Sequence, residues 1–250
     1  MADLSRWLWL ASSFLLAVVA TQTTWWVWQK DQERFDSFRR ARFSPLLLQI
    51  ARFAYLIVFP FCALVWGRAV MGRLLGLQPL LPSTDPAAHW ANWARDCGWG
   101  VGLGLAGWGL LTVGWLAARR VGCRVQLTGA PSAPWRLLGE AAYAETHWSF
   151  YRNAPIVALG PYWGTWLGLG LVAVEAELNP WWRADWRSAD RAPELFARCG
   201  LAVLSAALYL QTTNLWLAVL VHWGVTWGLA ACTRGSPRTL EGSADYSSPL

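Results

Sequence analysis

Residues 199–232, CGLAVLSAALYLQTTNLWLAVLVHWGVTWGLAAC, decide the fold class of this chain. The stretch contains no charged residue, and the polar residues 211–214 divide it into two apolar halves. A helix that crosses a bilayer needs about 20 residues. The stretch is therefore predicted to form two short membrane helices joined by a polar turn.

The composition of the whole chain agrees with this prediction. Of its 250 residues, 55% are hydrophobic and 14% are charged, whereas soluble domains carry roughly a quarter charged residues. The 21 tryptophans are typical of chains that anchor at the membrane–water interface. Long apolar runs lie at 7–28, 45–66, 98–118 and 156–178. We predict an all-α polytopic transmembrane bundle of about six to eight membrane helices, and we exclude a soluble enzyme and a disordered chain.

The connecting segments suggest a three-part organisation. Residues 1–134 are predicted to hold N-terminal membrane helices and, at 67–96, an interfacial loop with one or two short amphipathic helices. Residues 135–232 are predicted to form a second helical domain, and residues 233–250 a mobile tail rich in Ser, Gly and Pro. A charged linker is predicted at 179–198. A cleaved signal peptide is an alternative interpretation of the first apolar run.

The basic residues indicate topology rather than nucleic-acid binding, because they lie between apolar runs. The densest cluster, Lys30 to Arg42, is predicted to be cytoplasmic by the positive-inside rule. Arg52 lies within an apolar run and must reach the interface or find a partner. The composition suggests a bacterial inner membrane, with the lipid bilayer as partner and no nucleic acid.

Ionisable residues at membrane depth are the candidate functional residues. On the helix predicted to open at Pro134, a rotation of roughly 100° per residue places Glu145 and Arg152 on one face and His147 on another. His222 lies in the middle of the last apolar run, with Thr226 one turn further. A purely structural Glu145–Arg152 ion pair is the alternative to a catalytic role.

These residues resemble the motifs of the CPBP intramembrane proteases, the group of type II CAAX prenyl proteases and bacteriocin-processing enzymes. Residues 208–226, LYLQTTNLWLAVLVHWGVT, resemble the last motif, H-x-x-x-N, with His222 at the histidine and Thr226 at the asparagine. The sequence HWSFYR resembles E-E-x-x-x-R, with Arg152 at the arginine. The two motif glutamates fall on His147 and Trp148, and the middle motif, F-x-x-x-H, has no counterpart.

The resemblance implies peptide-bond hydrolysis in a polar cavity of the membrane, acting on a membrane-associated or lipidated protein or peptide. Glu145 would then be the base, and His222 would orient the water or stabilise the oxyanion, supported by His147 and Arg152. If zinc takes part, His147, His222 and Glu177 are its candidate ligands.

Two other functions stay open at this point. The missing motif glutamates suit an inactive membrane scaffold or binding protein that keeps the protease fold. A haem or chlorin held between His147 and His222 is the remaining alternative.

Overall fold

The structure, a computed structural model, describes residues 2–65, 75–81, 85–120, 133–188 and 191–234. Within these ranges the regular structure is helical, without a β-strand. Most of the predicted tail 233–250 and residues 67–74 and 82–84 of the predicted loop lie outside the described residues. The elements are α1 (Ala2–Lys30), α2 (Gln32–Arg40), α3 (Ser44–Phe53), a π-helical turn (Ala54–Val58), α4 (Phe59–Val65), α5 (Pro86–Arg120), α6 (Pro134–Leu178), α7 (Pro180–Trp186), α8 (Ala192–Thr212) and α9 (Leu215–Arg234).

The predicted polytopic helical bundle is confirmed. In the described part of the chain, six helices are long and apolar enough to cross a membrane, and the protein is a multi-pass membrane protein. The two helices predicted for 199–232 are α8 and α9. The chain reverses between them at Thr213, which adopts the left-handed conformation (φ 45°), and the Asn214 side chain caps α9 by accepting from the Leu217 N–H at 3.2 Å.

Two predicted connections are shorter than the sequence suggested. The loop predicted to end at residue 96 gives way to α5 at Pro86, because the Asp85 carboxylate accepts from the Ala88 N–H at 3.1 Å and caps the helix. The linker predicted at 179–198 holds α7 and the first turns of α8. Asn179 caps α7 by accepting from the Trp181 N–H. Proline at the first helical position favours both starts.

The second span, Leu46–Val65, is continuous from α3 through the π-helical turn into α4. The turn directly precedes Pro60, which lacks an N–H donor, and within it the Phe59 N–H donates to the Ala54 carbonyl. Arg52 finds the partner that its position requires. Its two terminal nitrogens lie 2.9 and 2.6 Å from the carboxylate oxygens of Glu140.

α6 is a hairpin of two helical arms. Gly160 interrupts it with φ 80° and ψ 171°, a backbone conformation that is essentially restricted to glycine. Residues 134–159 form the first arm and residues 161–178 the second. The polar helix and the following apolar run of the sequence are therefore antiparallel neighbours.

Two glycines of the second arm let the arms touch backbone to backbone. A Cβ on Gly164 would lie 2.3 Å from the Cα of Ile156, and a Cβ on Gly168 would lie 2.6 Å from the Cγ of Arg152. Only glycine permits so close an approach. The second arm therefore covers the Arg152 side of the first.

The glycine-rich helix α5 packs against both C-terminal helices, as its small residues predict. A Cβ on Gly100 would lie 2.8 Å from Leu217 of α9, and one on Gly107 would lie 2.7 Å from Leu204 of α8. Gly102, by contrast, faces open space. Helices from both sides of the predicted boundary at 134 and 135 thus share one packed bundle.

Candidate functional site

A buried carboxylate–histidine pair lies between α6 and α9. Glu145, on the first arm of α6, is 1% exposed, and its Oε1 lies 3.0 Å from Nδ1 of His222 on α9. Because a carboxylate only accepts hydrogen bonds, this contact requires a proton on Nδ1. In that tautomer Nε2 carries the lone pair, and none of the described residues donates to it.

The second oxygen of Glu145 is held by α8 and by the helix of Glu145 itself. The Ser205 hydroxyl donates to Glu145 Oε2 at 2.5 Å, and a terminal nitrogen of Arg152 lies 3.8 Å from the same oxygen. Arg152, 3% exposed, also donates to the Ser205 carbonyl and hydroxyl, each at 3.2 Å. Both carboxylate oxygens are therefore occupied, and three helices fix the position of Glu145.

The imidazole of His222 is packed against an aromatic ring that also lines a small cavity. Trp148 stacks on it, with the ring centroids 5.4 Å apart and the planes 19° apart. The His222 side chain is 12% exposed. A cavity of about 10 Å³ next to Trp148 has room for about one water molecule. It is lined by Trp148, Arg152, Leu169, Val172, Ala202 and Ala206.

Thr226, at the position of the motif asparagine, uses its hydroxyl within its own helix. Its hydroxyl donates to the backbone carbonyl of His222 at 2.8 Å. This bond lies within α9, one turn back along the helix. The Thr226 hydroxyl is therefore engaged with the helix backbone and not with the His222 ring or with Glu145.

His147 belongs to a second polar network on another face of α6. Its Nε2 lies 3.2 Å from Oε2 of Glu175 on the second arm, and its ring contacts those of Tyr151 and Tyr55, with centroids 4.5 and 5.5 Å away. The Tyr55 hydroxyl in turn donates to the Ser13 carbonyl of α1 at 3.2 Å. The structure thus separates His147 from His222.

The predicted metal ligands are not brought together. The described residues contain no group of three or more His, Cys, Asp or Glu side chains that could hold a metal ion. His147 and His222 each bind a different carboxylate, and Glu177 is exposed. This donor set does not fit a zinc site with three protein ligands, and the two histidines do not form an axial pair for a haem.

No family model matches this chain, and no curated protein or solved structure does. The candidate site therefore consists of the predicted residues Glu145, Arg152 and His222. It excludes His147, whose partner is Glu175 on the second arm of α6.

Sequence reasoning missed Ser205, although a signal for it exists. Ser205 and Tyr209 are the only hydroxyl residues between residues 199 and 210, and their spacing places them on one helix face. The Tyr209 ring lies 4.7 Å from the guanidinium carbon of Arg152. An apolar span with two hydroxyl groups on one face predicts a polar partner on a neighbouring helix.

Proposed function

We propose that this protein is an intramembrane hydrolase of the CPBP type that cleaves a peptide bond, with His222 as general base and Glu145 as the carboxylate that orients it. The observation that carries the proposal is the 3.0 Å contact between His222 Nδ1 and Glu145 Oε1 in the interior of the bundle. A buried carboxylate on Nδ1 fixes the tautomer in which Nε2 can accept a proton.

The motif resemblance implied that Glu145 is the base and that His222 assists it. The geometry favours the opposite assignment, with His222 as the base and Glu145 as the residue that orients it. Glu145 is nearly inaccessible, and both of its oxygens are engaged by His222, Ser205 and Arg152. His222 is the more exposed partner and keeps one nitrogen for a water molecule. Arg152 and Ser205 are positioning residues, since they act on the reaction through Glu145.

The proposed reaction is a water attack on a peptide carbonyl. His222 Nε2 takes a proton from water while the water oxygen bonds to the carbonyl carbon, and the carbonyl π electrons move to the oxygen. The tetrahedral oxyanion then collapses and the C–N bond breaks. The leaving amine takes its proton from Nε2, which restores the neutral histidine.

The position of the pair in a membrane-spanning bundle supports a membrane-embedded substrate. A water-soluble peptide would have to leave water to reach it, whereas a lipidated or membrane-spanning segment arrives through the bilayer. The proposed substrate is therefore a membrane-associated or lipidated protein or peptide, as in CAAX-type processing. The proposed location is a bacterial plasma membrane.

The test is hydrolysis of a fluorescence-quenched peptide by the full chain in proteoliposomes, with and without a farnesyl group on a cysteine near the C-terminus. We expect cleavage of the farnesylated peptide, with one oxygen of heavy-oxygen water in the new carboxyl group. His222→Gln and Glu145→Gln should abolish it, and His89→Gln, outside the site, should not. Equal cleavage by the His222 variant would contradict the proposal.

An inactive scaffold is the second candidate, and one observation favours it. Glu145 is closed off by Ser205 and Arg152, and the cavity lined by Trp148 and Arg152 has room for about one water molecule. If wild-type protein that is folded in the same proteoliposomes cleaves neither peptide, the scaffold becomes the better assignment. In that case His222→Gln would also leave the binding of a captured membrane partner unchanged.

A further inference from the structure

A large cavity lies away from the carboxylate–histidine pair, between the end of α1 and the short helix α7. Its volume is about 440 Å³, within the range of small-ligand sites. Two arginines spaced by four residues line it, Arg183 in α7 and Arg187 at the C-terminal cap of that helix. The lining residues are Trp25, Pro180, Arg183, Ala184 and Arg187.

Both arginines of the cavity present positive charge. Arg183 and Arg187 are exposed, and within the described part of the chain neither forms an ion pair. The carboxylate of α7, Asp185, is bound by Arg191 at 2.7 Å. Two guanidinium groups at one cavity wall favour an anion, and a guanidinium matches the oxygens of a phosphate group.

Tryptophans around the cavity indicate that it lies at the membrane–water interface. The Trp25 ring contacts those of Trp28 and Trp181, with centroids 4.9 and 4.8 Å away, and such aromatic clusters mark the headgroup layer. The Gln22 side chain donates to the carbonyl of Leu178, the last residue of α6. The cavity therefore opens where α1 and α6 leave the hydrocarbon core.

This end of the bundle also carries the basic cluster that follows α1. α2 lies against α7 through the rings of Phe35 and Trp181, 6.1 Å apart. The positive-inside rule places the cluster on the cytoplasmic side. The cytoplasmic leaflet is where anionic lipids attract basic residues.

We propose that this cavity binds the phosphodiester headgroup of an anionic membrane lipid. Arg183 and Arg187 would bind the phosphate oxygens, and the Trp25 ring would lie against the glycerol region. The inference is independent of the proposed hydrolysis, because it uses no residue of the Glu145 network.

The test is lipid binding by the full-length protein in detergent, measured by native mass spectrometry with short-chain phosphatidylglycerol and phosphatidylcholine. We expect phosphatidylglycerol to bind more tightly. Arg183→Gln and Arg187→Gln should each weaken its binding about fivefold, and the double variant about 25-fold, the effect expected for the loss of one basic residue near a charged surface. Equal binding of the two lipids by the wild type would overturn the proposal.

Arg136→Gln is the matched control. Arg136 is an exposed arginine that stacks on Trp135, and the α6 hairpin places it at the same end of the bundle as Leu178. Its loss removes one charge from the same side without changing the cavity. If Arg136→Gln weakens binding as much as Arg187→Gln, only the general positive charge matters and the site is refuted.

Inorganic phosphate distinguishes the source of the phosphate group. If phosphate alone displaces the short-chain lipid at equal concentration, the cavity is a free-phosphate site and the lipid assignment fails. If phosphate does not displace it, the lipid assignment stands. Thermal melting of each variant in the same detergent checks that the loss of binding is not a loss of fold.

Discussion

Replacing Glu145 by leucine tests whether the buried network is held together by charge. The change leaves the guanidinium of Arg152 buried without the carboxylate 3.8 Å away. Removing one partner of a buried ion pair costs about 3–5 kcal/mol, and we expect a loss of that size in the free energy of unfolding. Arg152→Met combined with Glu145→Leu should cost less than the sum of the two single variants, because the hydrogen bonds of both side chains to His222 and Ser205 are lost at about 1 kcal/mol each but no unpaired charge remains.

The assay is a double-mutant cycle in mixed micelles, with the full chain unfolded by increasing dodecyl sulfate and followed by circular dichroism. The chain provides a matched control cycle, Arg52→Met with Glu140→Leu, in which the paired side chains are 44% and 43% exposed. Such an exposed pair should couple by no more than about 1 kcal/mol. If the coupling of Glu145 with Arg152 is no larger than that of the control, the argument from burial is refuted.

Three further variants test the hairpin and the separation of the two networks. Gly164→Ala should destabilise the protein by at least about 1–3 kcal/mol in the same micelle assay, because the added Cβ would meet the backbone of the facing arm. Gly170→Ala is the control and should cost nothing, since Gly170 faces open space. Gly160→Ala should cost about 1–3 kcal/mol because of its φ of 80°, and wild-type stability would refute the described bend. His147→Gln should leave peptide hydrolysis at the wild-type rate, since its ring lies in the second network; a rate loss as large as that of the His222 variant would return it to the site.

Local periodicity predicted more of the site than the motif resemblance did. Counting the rotation per residue along the polar helix places Glu145 with Arg152 and puts His147 on another face. In the structure these two faces belong to two separate networks, one around Glu145 and one around His147. The motif resemblance grouped His147 with Arg152, because a linear motif records spacing and not the neighbours that a helix face meets.

The partners of these residues were harder to predict, because they depend on how distant helices pack. Glu175 contacts His147 only because the chain bends at Gly160, which makes the second arm of α6 run antiparallel to the first. Two prolines flank Gly160 in the sequence, yet a proline is tolerated within a membrane helix. Ser205 likewise becomes a partner of Glu145 only through the packing of α8 on α6.

The division of polar residues between two faces of one helix explains how the N-terminal helices attach to the candidate site. The face with Glu145 meets α8 and α9, the helices that carry Ser205 and His222. The opposite face, through His147, meets Tyr55 and, beyond it, α1. Polar contacts between membrane helices need specific partners. We therefore assign the proposed reaction to the Glu145 face and the packing of the N-terminal helices to the His147 face. In the proposed function, the first hundred residues, which the motif resemblance does not cover, hold α6 in place and contribute no reacting group.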